Sequence, residues 1–121
     1  MKGIPIKVEK PWGHEIRWAI TDKYLGKILH IKRGKRLSLQ YHEVKDETIY
    51  VTRGILIVHI GQKSDGQPES VIIMCEGESL RIEPMLVHRF SAPIDGHVEL
   101  IEVSTPEIND VIRLQDDHGR V

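Results

Sequence analysis

Short apolar runs, separated by turn residues at intervals of roughly 8–12 residues, set the strongest limit on how this chain can fold. The runs at 15–20, 24–32, 37–42, 47–53, 54–61 and 70–75 are rich in β-branched or aromatic residues and too short for stable helices. SLRIEP, HRFSAP and HVELIEVST continue the series from 79 onward, and the weak alternation of Ile4, Ile6 and Val8 suits an edge strand. Between them stand breakers: Lys10-Pro11-Trp12-Gly13, Thr21-Asp22-Lys23, the hydrophilic tip at 61–69 and Glu76-Gly77-Glu78. About ten strands spaced this way predict an all-β chain, an antiparallel barrel or double-sheet jelly roll. A helical face of two turns has room only at 107–114. No repeat or linker divides the chain, so residues 1–121 read as a single domain.

Chemistry concentrates between Gly34 and Gly54, GKRLSLQYHEVKDETIYVTRG. Strand side chains alternate with period two, so Gln40 and His42 share a face. Glu47 follows the acidic turn EVKD at the head of the next run. An amide oxygen, an imidazole and a carboxylate can therefore converge from two strands, the mixed donor set a divalent cation takes. His88 in PMLVHRF is the fourth expected ligand. The other histidines, His14, His30, His59, His97 and His118, read as ordinary strand or surface residues. Trp12 and Trp18 are expected to pack the barrel or a subunit contact. Cys75, in an apolar run with no CxxC partner, is expected to be an inert core thiol.

Composition narrows the function. With 29% charged residues and a formal net charge of −1, the chain lacks the basic footprint of a nucleic-acid binder. A single cysteine excludes an internal disulfide and suits a reducing compartment. The opening MKGIPIKVEKPW has no apolar run of signal-peptide length, and nothing approaches the roughly 20 apolar residues of a membrane helix. A cytoplasmic protein is expected, with neither nucleic acid nor membrane as partner.

These residues carry a resemblance. Gly34, Gln40, His42, Glu47 and Gly54 resemble the first cupin motif, G-x5-H-x-H-x4-E-x6-G, with Gln40 in place of the first histidine. Gly77, Pro84 and His88 resemble the second motif. Six residues separate Gly77 from Pro84, and the loop before His88 is one residue short, with Met85 and Leu86 where a glycine is usual. A narrower resemblance covers residues 10–120: KPWG, RLSLQYH, HRF, LIEVSTPEI and DVIRLQDDHGR are similar, in order and spacing, to the isomerase domain of type II mannose-6-phosphate isomerases. There the motif is RLSLQ-x-H and the ending D-I-x-R-x-x-D-x-x-G-R. Many members fuse this domain to a nucleotidyltransferase, for which 121 residues leave no room.

The resemblance implies a metal-dependent aldose–ketose isomerase, interconverting mannose 6-phosphate and fructose 6-phosphate through an enediol. It implies one divalent ion, Zn, Mn, Co or Fe; the missing sulfur argues against structural zinc. Arg89 and Arg120 are the expected phosphate contacts, followed by Arg36, because guanidinium grips phosphate bidentately. Lys27 and Asp116 are the expected proton-transfer residues, ahead of Asp117 and Glu102. A non-catalytic sugar-sensing module and another cupin enzyme, an oxygenase or epimerase, remain open alternatives. A homodimer is expected, with Ile4–Val8 as a pairing edge.

Overall fold

The computed structural model of the chain describes residues 2–121. Its elements in order are β1 (Ile6–Lys10), β2 (Gly13–Ile20), β3 (Leu25–Ile31), β4 (Leu39–Tyr41), β5 (Glu47–Arg53), β6 (Leu56–Ile60), β7 (Ser70–Met74), β8 (Ser79–Ile82), β9 (His88–Ser91), β10 (Val98–Ser104) and β11 (Ile112–Gln115). They form two antiparallel sheets, ordered β1-β2-β3-β10-β5-β8 and β11-β4-β9-β6-β7, the jelly-roll arrangement the strand spacing predicts. β10 lies between β3 and β5, so the last long strand closes the larger sheet over the earlier ones.

The inner faces of the two sheets enclose one apolar cluster that includes Ile31, Ile49, Val51, Leu56, Val58, Ile82, Phe90 and Leu100. Fully buried side chains of this size each contribute about 1.5–3 kcal/mol. Cross-strand register shows where the core ends. One inward row reads Leu29, Leu100 and Val51 across β3, β10 and β5. That row meets Glu15 on β2, and two residues further along the row becomes Arg17, Lys27 and Glu102 across β2, β3 and β10, ending on Ile49 of β5. The barrel is therefore apolar at one end and charged at the other, and the charged end holds the site.

A tight approach fixes the first hairpin. Gly13 sits at φ 153°, and a Cβ there would lie 1.9 Å from the backbone oxygen of His30. Relief requires moving β3 itself. Gly13→Ala is expected to cost about 3 kcal/mol or more, read as a lowered urea midpoint with an unchanged slope.

Two expectations are corrected here. Residues 107–114 form turns leading into β11, and no described residue is helical. The free edge of β4 offers this tail a ladder, and the Asp110 carboxylate accepts the backbone N–H groups of Glu43, Val44 and Lys45, which holds the segment extended. Cys75 is exposed, because β7 ends at Met74 and the Cys75 N–H turns outward to the Glu78 carboxylate. Trp12 is buried in the core, whereas Trp18 is half exposed on the outer face.

Candidate metal centre

β4 and β9 are register neighbours, with Gln40 opposite His88. His42 follows β4 directly, and Glu47 begins β5 across the short acidic turn. The result is a buried triad: ligand atoms of His42, Glu47 and His88 all lie within 4.8 Å of one another. His42 Nδ1 faces the backbone oxygen of Asp110, and His88 Nδ1 faces that of Leu86 at 2.8 Å. A carbonyl only accepts, so both Nδ1 atoms donate, and in each neutral ring the Nε2 lone pair is left free. These two Nε2 atoms point at one carboxylate oxygen, Glu47 Oε1, at 3.0 and 3.5 Å. Three acceptors facing one another need a proton or a cation between them. The other carboxylate oxygen, Oε2, is buried without a hydrogen-bond partner. Where a proton rather than a cation fills that place, burial opposes charge on Glu47, yet hydrogen bonds donated by His42 and His88 outweigh it and hold this carboxyl well below the usual range. An N/N/O set with both imidazoles pre-oriented by carbonyls fits a divalent ion. Gln40 lines the same cavity, its amide nitrogen donating to the Ser38 backbone oxygen at 3.5 Å.

Asp110 matters twice, since its carbonyl fixes the His42 ring and its carboxylate ties the 43–45 turn between His42 and Glu47. Asp110→Ala keeps that carbonyl but removes the carboxylate that ties the 43–45 turn, and is expected to weaken metal binding by up to about 10-fold, the lower end of what outer partners contribute, as measured by competition with a chelator.

The triad forms part of the wall of a cavity of about 390 Å³ whose lining carries paired charges. Lys27 contacts Glu15 at 3.0 Å and Lys45 contacts Glu102 at 2.9 Å, all four being buried. Burial, and then the charge on Glu47, push the Glu102 carboxyl up to about 7. Burial would lower the Lys45 pKa, but Glu102 and Glu47 beside it raise it instead. Arg113 also lines the cavity; its Nε is buried without a partner, and no carboxylate lies within 4.0 Å of its guanidinium. Ser38 Oγ, on the same wall, is buried and unpartnered as well.

The structure divides the residues expected from sequence. Gln40, His42, Glu47, His88, Lys27 and Arg120 line this cavity. Arg36 and Arg89 do not. Arg89 is adjacent to His88 on β9, and neighbours on a strand face opposite ways, so His88 points into the barrel and Arg89 out of it. Both arginines line a second cavity on the far side of the smaller sheet. Asp116 lies outside the main cavity too, its carboxylate engaged by Arg120 through Nε at 2.7 Å and Nη2 at 3.1 Å. That hydrogen bond holds the Asp116 carboxyl far below its ordinary value. A carboxylate so engaged aims Arg120 rather than accepting a substrate proton. Sequence reasoning passed over Lys45, Asp110, Arg17 and Arg113. Asp110 and Arg113 carried a signal, standing at the aspartate and the arginine of D-I-x-R in the terminal pattern.

A two-sheet antiparallel barrel with an inward His/Glu/His set at its polar end is a cupin barrel. Solved structures of similar shape include capsular polysaccharide assembling protein CapF from Staphylococcus aureus, with a TM-score of 0.75 at 16% identity, over 94% of this chain and 35% of that one. A cupin-2 domain from Rhodospirillum rubrum matches at TM-score 0.73 and 11% identity, over 93% and 75% of the two chains. The chain belongs to the family of mannose-6-phosphate isomerase C-terminal domains, whose profile matches residues 3–116. Among its relatives, the xanthan biosynthesis protein XanB of Xanthomonas campestris is 31% identical over 94% of this chain and 24% of that protein. A mannose-1-phosphate guanylyltransferase of Escherichia coli is 33% identical over 95% and 23%. The chain thus spans about a quarter of the length of these curated relatives.

Proposed function

We propose that this domain is a metal-dependent aldose–ketose isomerase acting on a sugar phosphate, with mannose 6-phosphate and fructose 6-phosphate as the substrate pair. One observation carries the reading: two imidazole Nε2 atoms and a carboxylate converge on the wall of a cavity that also holds an arginine without a counter-ion. The family description and the mannose-1-phosphate chemistry named for one relative support the choice of sugar.

Gln40, His42, Glu47 and His88 would hold the ion. When bound, a divalent cation supplies Lewis-acid stabilisation of negative charge developing on substrate oxygen. The chain's own residues supply the rest. Arg113 and Arg120, on the tail that borders the cavity, would bind and orient the phosphate. Asp116 keeps the Arg120 guanidinium in one orientation by gripping its Nε and Nη2. Of the two proton-transfer residues expected from sequence, Lys27 lies inside the cavity, its Nζ set by Glu15. It is the residue we assign to proton movement between C1 and C2, a role worth about 10²–10⁴-fold in rate. β1 is an open edge, and Ile4 and Ile6 beside it are exposed, which supports a homodimer joined there. No helix among the described residues is long and apolar enough to cross a membrane, and we assign the protein to the cytoplasm.

The test is a coupled assay for fructose 6-phosphate, using chelated protein reloaded separately with Mn, Co, Zn, Fe and Mg. Product that appears with metal and disappears with chelator is the expected result. Absence of product with every metal, while metal still binds, would overturn the isomerase reading.

A further inference from the structure

The second cavity, about 230 Å³, lies outside the barrel against β4, β6 and β9 and beneath the 61–69 loop. Three residues that can carry positive charge line it: Arg36, His59 and Arg89. His59 and Arg89 are direct cross-strand partners on β6 and β9. Arg36 is neutralised, both oxygens of Asp117 meeting its guanidinium at 2.6 and 2.8 Å. Arg89 is not. It is 3% exposed, yet among the described residues no carboxylate lies within 4.0 Å of it, Asp117 pairing with Arg36 and Asp116 with Arg120. Its Nε and Nη2 donate to the backbone oxygens of Leu37 and Gln115, which fixes the plane of the guanidinium and leaves Nη1 without a hydrogen bond. A buried cation without an anionic partner is costly, and proteins ordinarily retain one only where a counter-charge arrives.

We propose that this outer cavity is an anion site for a phosphate-sized oxyanion, free or as the terminus of a phosphorylated small molecule, held by Arg89 and His59. The ligand would meet a guanidinium pre-oriented by two carbonyls, an imidazole with no other hydrogen bond, and the turn that carries Gly61 and Gly66, both at positive φ. Asp65 also lines the cavity, but its Oδ1 already accepts the Gln67 N–H at 2.9 Å. Burial, and then the charges of Arg89 and Arg36, push the His59 pKa down. Burial, and then Arg36, do the same for Arg89. The charges of Asp117 and Asp116 act on Arg89 in the opposite sense without cancelling that shift. The volume accommodates one phosphate group and its hydration. This site is separate from the metal centre, because β4 and β9 present Gln40 and His88 to one side and Leu39 and Arg89 to the other.

The test follows backbone amides by NMR while metal-free protein is titrated with inorganic phosphate at constant ionic strength, chloride serving as the control. Gly61 and Gly66 report the outer cavity, Gln40 and Asp110 the inner one. Saturable shifts at Gly61 and Gly66, beyond any caused by chloride, are expected. Arg89→Met and His59→Ala should each weaken them at least about fivefold, since each removes a charge-assisted hydrogen bond, and Arg113→Met should leave them unchanged. Unmoved Gly61 and Gly66 amides in the wild type would overturn the proposal. So would shifts that survive both outer-site substitutions or that vanish with Arg113→Met. Arg89 braces two strands, so if its variant does not fold, His59→Ala decides alone. A parallel titration with mannose 6-phosphate separates the sources: shifts at the same amides extend the site to phosphate monoesters, and silence there confines it to the free anion. Because metal and catalysis play no part in the measurement, it stands whether or not the domain is an isomerase.

Discussion

If the proposed function holds, His42→Ala protein is expected to lose metal binding and isomerase activity together while keeping its fold. His42 sits after β4 rather than in the apolar cluster, so its removal leaves the core packing intact. What disappears is one of the two imidazoles directed at Glu47 Oε1, and with it a direct ligand. The affinity loss should exceed the roughly 10–100-fold that follows loss of an outer partner. Elemental analysis after gel filtration, run beside the coupled assay, measures both effects, and an unchanged circular dichroism spectrum confirms the fold. His59→Ala is the control, since His59 faces the other cavity and should leave metal content unchanged. A metal-free His42→Ala protein that still turned over substrate would contradict the role given to the triad.

Lys45→Met should have the largest effect on stability. Lys45 is buried between two carboxylates, 2.9 Å from Glu102 and 3.9 Å from Glu47. Methionine nearly matches its volume, so the packing loss is small and the electrostatic loss dominates. Breaking a buried pair from one side costs up to about 3–5 kcal/mol, reduced to the extent that Glu102, already pushed up to about 7, takes a proton. Glu102→Gln in the same chain removes the stranded charge, and the double variant should recover most of that loss. Urea unfolding of the two single variants and the double variant measures the coupling. A Lys45→Met protein as stable as wild type would show that water reaches the pair.

The strand framework was legible because period-two alternation and regular turn signals agree along most of the chain. The tail was not. Residues 107–114 carry no decisive period, and their extended form depends on β4 and on Asp110 reaching back to the 43–45 turn, a contact across more than sixty positions. The convergence of His42 and Glu47 was readable because only a four-residue turn separates them, although β4 and β5 belong to different sheets, and strand alternation places Gln40 on the face of His42. His88 was named to complete the donor set, but its arrival by register pairing of β4 with β9 was not legible in the spacing. The loop before it departs from the cupin pattern yet keeps the shape: Met85 adopts φ 71°, the left-handed conformation a glycine would supply, and its N–H bonds the His42 carbonyl at 2.6 Å. The misplacement of Arg89 had its correction within the sequence, because an arginine next to an inward histidine on a strand must face outward. Lys45 had no such signal, because its role comes from burial and from Glu102 on a distant strand. Asp110 stood in the D-I-x-R element, but its reach to the 43–45 turn was not legible there.

X-ray absorption on protein reloaded with cobalt or zinc tests the metal centre most directly. One ion per chain, with a first shell of nitrogen and oxygen including two imidazoles and no sulfur, is the expected result. Less than stoichiometric binding, or a sulfur shell drawn from Cys75, would contradict the assignment to Gln40, His42, Glu47 and His88.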